Sequence, residues 1–208
     1  MPTPTPMPTS PSTYAPLVAF GLGWFAFAAV FAFRKRPPAA DSPTRARDRS
    51  SWWGIGLQAA SFALVWSKPS QRPFGMPFGG LSILGGWPLT ALVAILMALS
   101  VGLVMRAVAR LGKQWAFAAQ VVEDHALITD GPYAIVRNPI YTGMVGMFVA
   151  SGLAIGRPLQ LVLGLALMSA GTYVRIKAEE RVLREAFGAE YDAYAARVPA
   201  VVPGWGRR

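Results

Sequence analysis

The chain contains no cysteine, a single histidine, His125, and only ten acidic residues among its 208. Without thiols there is no disulfide framework, no thiolate metal site and no cysteine nucleophile. One imidazole does not build a histidine-rich metal centre. Charge is scarce as well, at 14% of residues, and none occurs before Arg34. What fills the chain instead is apolar: 53% of it is hydrophobic, more than a soluble domain of this length has interior to hold. Twenty Lys and Arg leave a net charge of +10, a balance shared by nucleic-acid binders and membrane proteins. Their distribution separates the two, because the basic residues gather in short stretches between uncharged apolar runs. A basic face on a soluble fold, as nucleic acid requires, is not what this pattern describes.

Five uncharged apolar runs stand at 17–33, 52–67, 81–104, 140–156 and 158–174, against the roughly 20 residues that cross ~30 Å of hydrocarbon. They predict an all-α fold, a polytopic membrane helix bundle of about five transmembrane helices with a cytoplasmic C-terminal helix. The third run is expected to continue as helix through Leu111 until Gly112 stops it. The second reads either as a crossing or as half of a re-entrant hairpin with the third. Residues 1–16 hold six prolines and read as an extended, disordered tail. That tail lacks a positive n-region, so the run after it reads as a retained span and not a cleaved signal. Residues 17–111 are then the N-terminal transmembrane helices, with a basic loop at 34–51 expected to rest on anionic headgroups. Residues 112–208, which include the helical hairpin 140–174, form the region expected to carry any chemistry. Seventeen Lys and Arg lie in 34–51, 105–139 and 175–208, against Lys68, Arg72 and Arg157 in the other connections. This asymmetry predicts an outward N-terminus, with the C-terminus and the active site in the cytoplasm.

No Asp, Glu, Lys, Arg or His falls inside any of the five runs, which disfavours proton-coupled transport. Ionisable residues suited to chemistry are confined to two blocks, 110–143 and 175–199. A hairpin brings these blocks together. Arg137 lies twenty residues before Arg157, at the turn, and Arg175 eighteen after it, so equal arms return both arginines to one membrane mouth on helices about 8 to 10 Å apart. Glu179 shares the helix face of Arg175 at i+4, and Glu180 lies about 100° round. A ladder of surface pairs, Glu180 with Arg184 and Arg181 with Glu185, is the plainer reading of the same spacing. Asp130-Gly131-Pro132 marks a turn, and Arg137-Asn138-Pro139 breaks the backbone before the fourth run. The stripe Phe187, Tyr191, Tyr194 has helical spacing and reads as the packed face of a C-terminal helix.

At these blocks the sequence resembles the isoprenylcysteine carboxyl methyltransferases and their phospholipid methyltransferase relatives, integral membrane enzymes that use S-adenosylmethionine. The likeness starts near Leu111-Gly112 and runs from His125 through Asp130-Gly131-Pro132-Tyr133 to Arg137-Asn138-Pro139-Ile140-Tyr141-Thr142-Gly143. It resumes at Arg175, Glu179-Glu180, Phe187-Gly188, Glu190-Tyr191, Tyr194 and Val198-Pro199. The resemblance implies a binding set for S-adenosylmethionine of His125, Leu127, Gly131, Tyr133, Asn138, Pro139, Tyr141 and Glu180. His125 lies before the turn, where a structural hydrogen bond is its simpler role. The family's usual Arg-His-Pro reads Arg137-Asn138-Pro139 here. Asn donates a hydrogen bond but takes up no proton near neutral pH. A carboxylate acceptor, with a pKa of about 4, is already ionised and needs no base, whereas an ammonium acceptor must first lose a proton. Carboxylate O-methylation of an isoprenylated or other lipidic acceptor is therefore expected over amine N-methylation of a phospholipid. In that reaction Arg137 and Arg175 orient the substrate carboxylate and Glu179 holds an arginine in place. Two further readings compete: a sterol-reductase-like membrane enzyme binding NADPH, which shares a Gly-x-Tyr then Arg-His-Pro pattern, and an inactive protein that keeps only the fold. The expected partners are the lipidic acceptor and membrane lipids, with no nucleic acid and no protein partner.

Overall fold

The computed structural model describes residues 11–32, 44–67, 86–112, 120–122, 126–155 and 158–204. Six helices carry the architecture: α1 Pro11–Ala32, α2 Ser51–Trp66, α3 Trp87–Leu111, α4 Pro139–Ile155, α5 Pro158–Phe187 and α6 Ala189–Arg197. The expected helix bundle is what the structure has, with one small addition. Two short strands, β1 Thr44–Arg47 and β2 Gln120–Val122, pair antiparallel and join the connections before α2 and after α3.

Helix α1 begins at Pro11, inside the stretch read as an extended tail, so residues 11–16 are a correction to that boundary. Pro11 falls in the first turn, where no intrahelical partner awaits its missing N–H, while Pro16 lies inside the helix at the loss of one backbone hydrogen bond. Among the described residues of the third apolar run, α3 starts at Trp87 after Gly86, and Gly112 closes it with φ +56° as expected. The loop basic residues before Thr44, the hairpin turn at 156–157 and the connection at 68–85 lie outside the described residues.

Among the described residues three helices are long and apolar enough to cross a membrane, Tyr14–Ala32, Trp87–Leu111 and Pro158–Phe187, and α4 is a shorter apolar helix. Large apolar side chains such as Leu22, Phe25, Leu99 and Val162 face outward, where hydrocarbon and not water suits them. The protein is an integral membrane protein. At 30 residues, α5 is about 45 Å long, some 15 Å more than the hydrocarbon needs. Its C-terminal turns, which hold Glu179, Glu180 and Arg184, therefore rise to the membrane surface.

Helix α4 is the hub. One cluster packs its Met147, Ala150 and Ala154 against Leu89, Val93, Met97 and Val101 of α3, with α1 on the outside. A second packs its Phe148 and Ile155 against Val65 of α2 and Met168 of α5. Between α2 and α5 the backbones nearly touch. A Cβ on Gly171 would lie 2.7 Å from the Gly54 carbonyl oxygen, so only glycine permits this approach. At the head of α2, Asp48 accepts a hydrogen bond from the Ser50 N–H and pairs with Arg181 of α5 at 2.7 Å. The Ser50 bonds, with Arg181, hold the Asp48 carboxyl below its ordinary value.

Candidate active site

A cavity of about 850 Å³ opens where α4 and α5 meet the surface, within the roughly 300 to 1,000 Å³ usual for small-molecule sites. Its two ends differ in chemistry. One is walled by Tyr133, Arg137, Asn138, Tyr141, Arg175, Glu179 and Glu180, the other by Trp24 and Phe27 of α1 and Phe62 and Trp66 of α2. The aromatic end is a set of edge-on contacts, with Trp24 5.1 Å from Phe62 and 4.9 Å from Trp66 between ring centroids. Such geometry suits the opposed signs of ring face and edge.

The polar end is assembled by local rules. Gly131 takes φ +58° and starts a short 3-10 turn, Gly131–Ala134, that buries Tyr133. Asp130, just before it, is held to Arg110 by a forked ion pair, and this hydrogen-bonded partner lowers its carboxyl pKa. Pro139 opens α4, and the Asn138 carbonyl takes the Thr142 N–H at 3.1 Å, which places Tyr141 on the cavity side. At the other edge Gly188, φ +52°, lets the chain turn from α5 into α6.

The residues after α6 then fold back across the Arg137–Thr142 stretch. The N–H groups of Arg137 and Asn138 donate to the carbonyls of Pro199 (2.8 Å) and Ala200 (3.0 Å). The Asn138 amide donates to the same Ala200 oxygen at 3.0 Å, and the Thr142 hydroxyl to Val201 at 2.8 Å. From α6, the Tyr194 hydroxyl reaches the Tyr133 carbonyl at 2.7 Å. Burial pushes the Tyr194 phenol up to about 12, and burial with the nearby Glu180 charge raises Tyr191 too.

Arg137, Arg175, Glu179, Glu180, Tyr133, Asn138, Pro139, Tyr141 and Leu127 all border this one cavity. Gly131 does not line it but shapes the turn beside it, and His125 lies outside the described residues. The contacts differ from those expected in three ways. Arg137 is bound by Glu180 at 2.7 Å and by the carbonyls of Ala195 and Val198 at 2.5 and 3.1 Å. Its Nε is buried without a hydrogen-bond partner among the described residues. Glu180, expected beside a cofactor, is the centre of an ion cluster with Arg137, Lys177 at 3.4 Å and Arg184 at 3.8 Å. Glu179, expected to brace an arginine, accepts a hydrogen bond from the Tyr141 hydroxyl. The ladder reading is met at Glu180 with Arg184, whereas Arg181 turns to Asp48 of another element.

One group escaped the sequence reading. Gln58 of α2 is buried in the cavity wall, with its amide nitrogen donating to Thr172 at 3.0 Å and its oxygen accepting from Arg175 at 3.1 Å. A lone Gln inside an apolar run was the available signal. Tyr191 and Tyr194 are packed as expected, and with Phe187 they also wall the cavity.

A helical membrane protein with a ligand-sized cavity, lined by polar and charged side chains in one part and by aromatic ones in another, is the class these observations define. The sequence model of the phospholipid methyltransferase family matches residues 89–190. Protein-S-isoprenylcysteine O-methyltransferase B of Arabidopsis thaliana is 35% identical over 81 residues, 39% of this chain and 41% of that protein. The protein-S-isoprenylcysteine O-methyltransferase of Schizosaccharomyces pombe is 33% identical over 81 residues, 39% of this chain and 34% of that protein. A cobalt-zinc-cadmium resistance protein of Cupriavidus metallidurans, CzcN, is 30% identical over 109 residues, 51% of this chain and 50% of that protein. The chain thus spans half or less of the curated relatives it matches. Residues 89–190 thus resemble the phospholipid methyltransferase family, and isoprenylcysteine methyltransferases are among the proteins the chain is similar to. Such a family implies a methyl donor.

Proposed function

We propose that this protein is an S-adenosylmethionine-dependent membrane methyltransferase that esterifies the carboxylate of an isoprenylated or other lipidic acceptor at the cytoplasmic membrane surface. The observation that carries the reading is the single cavity with a charged end and an aromatic end. A soluble donor and a greasy acceptor need both in one space.

The residues present fit the donor. It bears an ammonium, a carboxylate and ribose hydroxyls, and Glu179, whose hydrogen-bond donor here is the Tyr141 phenol, has lone pairs left for an ammonium or a hydroxyl. Leu127 and Ile128 bring non-helical backbone to the wall, the kind of surface that offers amide groups to a polar ligand. When bound, S-adenosylmethionine supplies a methyl group on a cationic sulfonium, open to in-line displacement by a carboxylate oxygen.

The chain's own residues then have positioning tasks. Arg175 borders the cavity with its guanidinium stacked 4.8 Å from the Tyr141 ring centroid and orients an anionic headgroup. Arg137 secures the residues after α6 and so closes the polar end, where excluding water strengthens the attraction between carboxylate and sulfonium. No side chain has to take a proton, in keeping with Asn138, whose amide is spent on Ala200. The Lys and Arg excess in 34–51, 105–139 and 175–208 supports a cytoplasmic site.

Incubating the purified protein in lipid discs with methyl-tritiated donor and a prenylated cysteine tests this. Base-labile, volatile label on the acceptor is expected. Label stable to base on an amine lipid, or NADPH binding with no donor binding, overturns the assignment.

A further inference from the structure

Helix α2 lies outside the stretch matched to the methyltransferase family, yet it supplies one polar group to the cavity wall. We propose that Gln58 is a positioning residue that sets the Arg175 guanidinium for an anionic headgroup and so makes the site select a charged acceptor over a neutral one. The inference rests on the reading above for what the acceptor is.

A primary amide buried at membrane depth is unfavourable unless both its ends are satisfied. At Gln58 they are, and in one sense only. Arg175 has donors and no acceptor, so it fixes the Gln58 oxygen towards itself, and the amide NH2 must then turn to the Thr172 hydroxyl. Thr172 and Arg175 stand one turn apart on α5, so Gln58 bridges them from the neighbouring helix. The glycine contact between Gly54 and Gly171 sets the two backbones close enough for this reach. Arg175 is thereby held edge-on by Gln58 and face-on by the Tyr141 ring.

The chemistry of the anchor matters as much as its position. Arg137, in the same cavity, is anchored by the carboxylate of Glu180, which offsets its charge. Gln58 orients Arg175 through a neutral oxygen and itself adds no counter-charge, so the carboxylate that acts on Arg175 is Glu179 and not its anchor. Replacing Gln58 by Glu keeps the shape and the acceptor but introduces that counter-charge. Replacing it by Leu keeps the volume and lets the guanidinium swing.

The test pairs binding with kinetics, using a prenylated cysteine with a free carboxylate and its methyl ester as competing probes. In the wild type the acid is expected to bind at least tenfold better than the ester. Gln58→Glu should raise KM for the acid about tenfold, bring its affinity towards that of the ester, and change kcat and donor affinity less than threefold. Gln58→Leu should lower kcat more than it raises KM. Thr172→Val, which frees the other end of the amide, should act in the same direction as Gln58→Leu but less strongly. Wild-type protein that binds acid and ester alike overturns the inference. So do variants that keep KM, kcat and the acid preference within twofold, or that lose donor and acceptor binding in equal proportion together with a lower melting temperature. Wild-type protein that prefers the acid yet esterifies no carboxylate overturns the assigned reaction and leaves the inference standing.

Discussion

At the scale of single residues, two adjacent glutamates part company. Both are acids near the end of one long helix, and the sequence distinguishes them only by face and not by partner. In the fold Glu180 holds Arg137 in a pair whose side chains are only 5% and 12% exposed, while Glu179 meets a phenol at the cavity. Removing one member of a buried pair strands the other, at a cost of about 3 to 5 kcal/mol. Glu180→Gln should therefore lower the melting temperature in detergent clearly and lose activity along with stability. Glu179→Gln should leave the melting temperature within a few degrees and weaken donor binding at least tenfold, measured by calorimetry. Equal destabilisation by both would remove the distinction. The i,i+4 spacing showed which face each acid occupies, but the partner on that face comes from residues about forty positions away.

At the scale of elements, helices were the legible part. Uncharged runs placed α2, α4 and the start of α5 to within a residue of where they lie, because crossing hydrocarbon demands backbone bonds closed within each segment, whereas α5 continues as helix well past its apolar run to Phe187. The start of α1 was missed because proline counts against helix, whereas here Pro11 falls in the first turn and Pro16 is carried inside the helix. Beyond the α4–α5 hairpin, which helices touch was not legible, and α2 against α5 is the pairing that matters most. Gly171→Val would push its side chain into the Gly54 carbonyl and the Gln58 backbone, an overpacking cost of about 1 to 3 kcal/mol. It should also displace Gln58, so activity is expected to fall more than stability alone explains. Gly102→Ala on α3, where nothing lies within 4 Å, should be neutral or slightly stabilising. Thermal unfolding and initial rates of the two variants check the contrast.

At the scale of the whole molecule, the residues after α6 close the fold over its active end, and their hold depends on a protonated phenol. Burial raises the Tyr194 pKa from an ordinary 10.0 to about 12, so the folded state favours the neutral form. The resulting stability is fully present below about pH 10 and is lost as pH rises towards 12, up to about 2 to 3 kcal/mol. The melting temperature should fall over that window, and Tyr194→Phe should start lower, having lost its bond to Tyr133, but fall less. An equally steep alkaline loss in Tyr194→Phe would assign the effect elsewhere.

The sequence by itself determined that this chain lives in a membrane, which stretches form its helices, and that residues from 110–143 and 175–199 meet at one mouth. Those properties follow from composition and from the fixed rise and period of a helix, both of which are local. Only the tertiary structure decided that Arg137 belongs to Glu180 and to the carbonyls at the end of α6, that Arg175 belongs to Gln58 and Tyr141, and that Asn138 spends its amide on Ala200. Hydrogen-bond partners are chosen by three-dimensional neighbourhood. For these side chains the neighbours are set by how closely glycine lets α2 approach α5 and by how the chain folds back after Gly188, neither of which periodicity encodes.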